Sequence, residues 1–171
     1  QLEHREKLFN LINLYEGKLN DVGSLNNAFS SNWLKSAGDD VIKRIQRHVY
    51  NYFYNICKTG SKQNLWTTLK EKEKNFKGRG YAKSFIHLNM RATNEYSDRE
   101  SLAYLYNRYM NPYERSFFQD NGISVNEELL AVSDLLQWVW RSRIRNGQTI
   151  NLYLPSIRMR TLLKRWSKYE I

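Results

Sequence analysis

The chain is poor in the residues that cross-link, ligate and break structure. Among 171 residues there is one cysteine, two prolines and three histidines. A lone thiol can close no internal disulfide and complete no cysteine metal site, so Cys57, in YNYFYNICKTG, reads as a buried packing residue on a helical stripe. His4, His48 and His87 are scattered without a carboxylate or cysteine at ligand spacing, which argues against a metal centre. His48 reads as a partly buried packing residue. Pro112 and Pro155 stand alone, and no repeat or low-complexity run interrupts the chain, as expected of a helix-rich unit without a flexible linker. No apolar stretch approaches the roughly 18 residues that cross a bilayer, and mean hydropathy is -0.72. A soluble, cytoplasmic protein with no membrane contact is the expectation. The first residue is glutamine and not methionine, so a truncated or processed chain is the expectation.

Two further absences bear on chemistry. No Gly-x-x-x-x-Gly-Lys-Ser/Thr phosphate loop occurs, and the Asp39-Asp40 and Glu127-Glu128 pairs open helices instead of ending strands. The isolated chain is therefore not expected to hydrolyse ATP or to hold a cofactor by itself. Acidic residues sit at helix starts or beside bases, which disfavours a metal-dependent nuclease.

Basic charge is abundant and unevenly placed. Lys and Arg number 27 against 17 Asp and Glu, a net charge of +10. Residues 58–83 hold eight bases against two acids and residues 141–171 eight against one, leaving the remainder net negative. Together with Trp66, Trp138, Trp140 and Trp166, these segments suit a polyanion, since bases release counterions from phosphates and aromatic faces stack nucleobases.

The periodicity reads as mostly helical. Leu8, Ile12, Tyr15 and Leu19 share a face of a helix over REKLFNLINLYEGKL; Ser24 caps a shorter helix reaching Trp33; Val41, Ile45, Val49, Tyr52 and Ile56 form the stripe of a helix over 39–56. LWTTLKEKEKNFKGRGY reads as a basic helix and YAKSFIHLNM as a strand. Ser97 with Glu100 reads as a capping box for a helix over SLAYLYNRYM that Asn111-Pro112 ends; Ser124 with Glu127 opens a further helix striped by Val125, Leu129, Val132, Leu136 and Val139. Past Asn146-Gly147, Ile150, Leu152 and Leu154 alternate as a strand, and Ser156 caps a last helix burying Met159, Leu162, Leu163 and Trp166. The expected class is α+β, predominantly helical: helices over 1–60, then a β-α-α-β-α unit with parallel strands over 61–171, packed as one compact unit.

In LLQWVWRSRIRNG, Gln137, Arg141 and Arg145 recur at intervals of four. Arginines at the end of a buried helix need oxygen acceptors in the guanidinium plane, either a protein oxygen or a phosphate.

The phrases RATNEY, AYLYNRYMNP, QWVWRSRIR and PSIRMRTLL resemble the C-terminal end of the DEAD/DEAH-type (superfamily 2) helicase-related proteins of Gram-positive plasmids, phages and integrative elements, over roughly residues 62–166. The resemblance implies part of a RecA-like second lobe. Its Gln-x-x-Gly-Arg-x-x-Arg pattern places Gln137 at the glutamine and Arg141 at the first arginine, a candidate arginine finger for ATP and Mg held by an absent lobe. Trp140 replaces the glycine and Ile144 the second arginine, leaving Arg143 and Arg145 as neighbouring nucleotide-binding candidates. MRATNEY resembles the family's strand-loop nucleic-acid motif, which implicates Arg91, Thr93 and Asn94. The basic faces add Lys77 and Arg79, and Arg158, Arg160, Lys164, Arg165 and Lys168, as contacts for nucleic acid, DNA ahead of RNA. Two other readings stand beside this one: a basic DNA- or RNA-binding module with no link to ATP, and a module docking on a host protein through Trp138, Trp140 and Tyr153.

Overall fold

Ile150–Tyr153 is an extended segment with neighbours on both sides. This strand, β4, lies between β1 (Ile12–Leu14) and β3 (Ser101–Tyr104), and β2 (Asn64–Thr67) lies beyond β3. All three pairings are parallel. The computed structural model describes residues 2–91 and 93–171. Parallel strands require crossovers, and the helices that supply or flank them are α1 (Leu2–Asn10), α2 (Ser31–Ser36), α3 (Asp39–Asn51), α4 (Glu73–Phe76), α5 (Pro112–Asp120), α6 (Glu127–Val139) and α7 (Ile157–Ser167). α3 continues as a π-helical segment, Tyr52–Cys57. The class is therefore α/β with a parallel sheet, where α+β was expected.

The register assigns every strand residue to one of two faces. Leu14, Leu152, Leu102 and Leu65 are lateral neighbours in one row. On the same face Tyr104 meets Trp138 of α6 edge-on, and α6 packs on α7, which packs on α1. The opposite face carries Trp66, Ala103 and Tyr153 in register. Tyr153 stacks there on Tyr52 of the π-helical segment, with Tyr15 edge-on to both rings. A second row on this face is polar: Asn13, Asn151, Ser101 and Asn64. Asn13 donates to Asn151 Oδ1 (3.2 Å), Asn151 to Ser101 Oγ (3.1 Å), and Thr59 to Asn64 Oδ1 (2.6 Å).

Several helical expectations give way to strands. The predicted first helix stops at Asn10, and Ile12–Leu14 is β1; the apolar residues at 8, 12 and 15, spaced by four and three, carry the helical period across the break, and a three-residue strand is too short to show its own. NLWT is β2 and SLAY is β3, neither helical, and all eight residues are buried. A strand covered on both faces shows no alternation, so it passes for a buried helix. The expected capping box at Ser97 and Glu100 accordingly caps nothing. Asn111-Pro112 begins a helix: Asn111 accepts from Glu114 N at 2.8 Å, and Pro112 occupies the first turn, where its missing N–H costs least. The expected strand at 84–90 reduces to a bridge between Phe85 and Trp66. Ser30, in place of Ser24, caps α2, and Asn126, in place of Ser124, caps α6. Helix α3, strand β4, the Ser156 cap and the inward residues of α7 lie as the periodicity predicts, but the expected stripe fails at Ile56: the π-helical turn changes the pitch, so Phe53 is buried and Ile56 is 49% exposed.

In an open α/β sheet, ligands enter where adjacent strands send their connections to opposite faces. One such place here is the crevice between the carboxyl ends of β1 and β4, and it is filled by protein. Arg160 donates to Leu154 O and Pro155 O at 2.8 and 2.7 Å, Tyr153 donates to Leu19 O, and Lys164 pairs with Glu16. Gly23 lies so close that a Cβ there would sit 1.9 Å from Pro155 O. Gly23→Ala is thus expected to lower stability by about 1–3 kcal/mol through overpacking. Gly60→Ala, whose Cβ would meet nothing within 4 Å, should shift it by less than about 1 kcal/mol. Urea unfolding of the two variants measures the difference.

Candidate functional site

Helix α6 buries Ala131, Val132, Leu135, Trp138 and Val139, a stripe rotated slightly from the predicted one. It stops at Val139 because Ser142 turns back on it: Ser142 Oγ donates to Val139 O at 2.7 Å, then accepts from Ile144 N to start a 3-10 turn over Arg143–Asn146. Gly147, at φ 75°, ends that turn. Gln137, Arg141 and Arg145 therefore do not continue one helical row. The tightened turns nevertheless bring all three to one groove of about 780 Å³, with Trp140, Trp166 and His4 also in its wall. The groove lies between α1, α6 and α7, at the end of the sheet where the strands start.

Its electrostatics are one-sided. No carboxylate lines it among the described residues. Arg141 donates to Gln137 O at 2.8 Å and Arg145 to Thr93 O at 3.0 Å, both neutral acceptors. Arg141 Nε is buried without a hydrogen-bond partner, and burial lowers the guanidinium pKa below its ordinary value. A partly desolvated guanidinium with one carbonyl partner and an unbonded Nε has unmet capacity for an oxyanion. Arg5 stabilises the wall, donating to Trp166 O and Ile171 O while its guanidinium lies 4.0 Å from the Tyr169 ring centroid.

The other expected site residues are dispersed. Arg143 turns away from the groove, donating to Thr149 O at 2.7 Å and pairing with Glu100. Thr93 joins the groove wall, and Arg91 and Asn94 are exposed in the adjoining loop. The basic residues of α7 are largely engaged inside the molecule. Arg158 donates to Asn107 Oδ1 and Arg108 O and covers the Tyr109 ring; Arg160 closes the β4 crevice; Lys164 pairs with Glu16 and Arg165 with Glu128. Lys168 is exposed, as are Lys77 and Arg79, which belong to the opposite face of the sheet. The aromatic expectation narrows as well. Trp66 and Trp138 are fully buried and Trp166 nearly so, leaving Trp140, 47% exposed, as the tryptophan able to stack on a base. Trp138 and Tyr153 are likewise too buried to serve as docking hot spots. Cys57 is half-buried, with burial raising its thiol pKa. His48 meets Asp21 at 3.0 Å.

One cluster was not foreseen. At the carboxyl end of β3, Arg108 is held by both Glu114 oxygens (2.8 and 2.7 Å) and by Asp134 (2.8 Å), beside a cleft of about 250 Å³. The Asn111-x-x-Glu114 spacing is the visible trace of this clamp, because Glu114 serves both the cap and Arg108. Among the described residues, no group of three His, Cys, Asp or Glu is placed to hold a metal ion, and no helix is long and apolar enough to cross a membrane.

The profile of a family described as the YonV C-terminal Rossmann-like domain matches residues 6–167. A relative, the SPbeta prophage-derived uncharacterized protein YonV of Bacillus subtilis (strain 168), is 46% identical over 162 residues, which make up 95% of this chain and 39% of that protein. The chain thus spans about two-fifths of its relative's length. The prophage origin of that relative agrees with the expected kinship to mobile elements; neither description names a helicase. No solved structure matches the chain.

The Arg108 clamp has a pH signature. Its hydrogen bonds pull the Glu114 pKa down to about 2 from an ordinary 4.5. A carboxylate with a depressed folded-state pKa stabilises fully above its unfolded value, and that contribution fades as pH falls from about 4.5 toward 2. Glu114→Gln should flatten the stability profile over that window. Arg108→Met, which leaves two carboxylates facing each other, should cost roughly 2–3 kcal/mol at neutral pH, less than for a fully buried pair. Thermal unfolding between pH 2 and 7 tests both.

Proposed function

The chain belongs to the YonV C-terminal Rossmann-like domain family, and within that fold we propose that the groove between α1, α6 and α7 receives the phosphate of a nucleotide. The observation that carries this reading is the unpartnered, buried Nε of Arg141 in a groove without a carboxylate. A phosphate oxygen there would supply the in-plane acceptor that the protein does not, and Arg145 would add a second cation. The exposed ring of Trp140 offers the base or ribose a flat apolar wall.

In its fuller form the proposal makes this domain the RecA-like second lobe of a nucleic-acid-dependent motor. ATP and Mg would then be held by a lobe outside this chain. Arg141 would neutralise charge developing on the transferred phosphoryl group, and the Gln137 carbonyl would aim it. Arg143 drops out of the nucleotide contacts because Glu100 and Thr149 hold it elsewhere. The bond from Arg145 to Thr93 O ties the arginines to the loop of Arg91, Thr93 and Asn94, the proposed nucleic-acid contact, so strand binding and phosphate contact would share one backbone segment.

Two measurements separate the levels of this proposal. Titration with ADP should produce a saturable change in tryptophan fluorescence that Trp140→Phe diminishes and Arg141→Ala abolishes; the same curve in the Arg141→Ala protein would overturn the groove assignment. In the full-length protein, Arg141→Ala should lower ATP hydrolysis by about a thousandfold or more while sparing nucleic-acid affinity. Retained hydrolysis would remove the arginine-finger role and leave the phosphate site in place.

A further inference from the structure

The outer face of α3 carries a pattern that neither the groove nor the clamp uses. Lys43, Arg47, Tyr50, Tyr54 and Lys58 follow one another at helical spacing along α3 and its π-helical tail. The Tyr50 and Tyr54 rings stack with centroids 5.2 Å apart and planes 13° apart, and Tyr54 remains 62% exposed, so its outer surface is open. Gln46 donates to Asn75 O and Lys77 O, at 3.0 and 2.9 Å, and so ties the loop bearing Lys77 and Arg79 against the helix. The result is a shallow groove of about 560 Å³ between Lys43, Arg47, Tyr50 and Arg79, continued past Tyr54 to Lys58 and Gly60 by a second groove of about 470 Å³.

No acidic residue lines either groove, and among the described residues none of Lys43, Arg47, Lys58 or Arg79 makes a salt bridge. Asp21 is taken by Arg44 and His48, and Asp39 and Asp40, one turn before Lys43 at the start of α3, make no salt bridge with it. The strip is thus a row of unneutralised cations broken by an aromatic step. From Lys43 to Lys58 it runs about 20 Å, which accommodates a few nucleotides. Phosphates would attract the cations, but a duplex keeps its base faces hidden; an unpaired strand presents a face that an exposed tyrosine can stack against. π-helical turns, of which Tyr54 is part, are rare and concentrate at functional sites.

We propose that the outer face of α3 is a docking strip for single-stranded nucleic acid, with Lys43, Arg47, Lys58 and Arg79 on the phosphates and the Tyr50–Tyr54 stack under the bases. The strip lies on the far side of the sheet from the Arg141 groove. The inference rests on the nucleic-acid part of the reading above, not on the identity of the groove's ligand.

The test is fluorescence anisotropy with a labelled oligothymidylate of roughly twenty nucleotides and a duplex of the same length. The single strand should bind more tightly, with a slope of log K against log salt of about -3, as four phosphate contacts require. Tyr54→Ala should weaken binding by about fivefold or more, and Arg47→Glu with Arg79→Glu should abolish the preference for the single strand. Arg141→Ala should leave it unchanged. All three altered side chains of α3 and its loop are exposed, so the variants should keep the wild-type melting temperature. Strand binding unaffected by the α3 variants would overturn the strip and leave nucleic-acid binding to another surface. Tighter binding of the duplex would also overturn it. Failure of both nucleic acids to bind would overturn the strip and the nucleic-acid part of the proposed function together.

Discussion

The double coverage of β4 is the constraint on which the domain depends. Paired on both edges and packed on both faces, this strand must present leucine to one helical layer and asparagine and tyrosine to the other. A slip of one residue would drive Asn151 into the leucine row and expel Leu152 toward the tyrosines, so register and layer identity are a single choice. The hydrogen-bonded row from Asn13 through Asn151 to Ser101 enforces it, because a polar side chain buried out of register would lose its partner.

The site follows from how the chain enters and leaves that strand. α6 must end before β4 begins, and Ser142 ends it abruptly, so that Trp140 and Arg141 follow the last helical turn and Arg145 sits in the 3-10 turn beyond it. A longer helix would have kept Gln137, Arg141 and Arg145 in one slowly drifting row; the broken one brings them to the same groove through tightened turns. On leaving β4, the chain seals the carboxyl-end crevice with Arg160 and the Gly23 turn. The ligand entrance between β1 and β4 is thereby closed; the Arg108 cleft stays open at the carboxyl ends of β2 and β3, and the Arg141 groove lies at the other end of the strands.

What was legible in the sequence tracks how each residue is exposed. α3 and α7 have one wet face and one dry face, and their stripes could be read directly. β2 and β3 are dry on both faces, so SLAYLY carried no alternation and the neighbouring Ser and Glu imitated a helix cap. The arginine constellation was visible as a spacing of four, and its residues do converge, but by a route the spacing did not imply. Nothing in the spacing distinguished Arg143, which turns to Glu100, from Arg145 two positions on, since the distinction comes from Ser142 closing the turn. The basic helix α7 misled in the same way: its charges looked like a binding face, whereas most of them close contacts to Asn107, Glu16, Glu128 and the strand end. The partners lie far away in sequence, where no local pattern records them.

The pairing of β1 with β4 joins Asn13 to Asn151 across 138 residues of chain. A growing polypeptide can form α3, its tyrosine stack and even the β2–β3 pair early, but the strand that divides the two layers is the last to be made. Until then β1 has no neighbour, and the leucine and tyrosine surfaces it will separate are both uncovered. Such distant closure makes folding slow and late, so a nascent chain would depend on holding its first strand apart from other sheet edges until its fourth arrives.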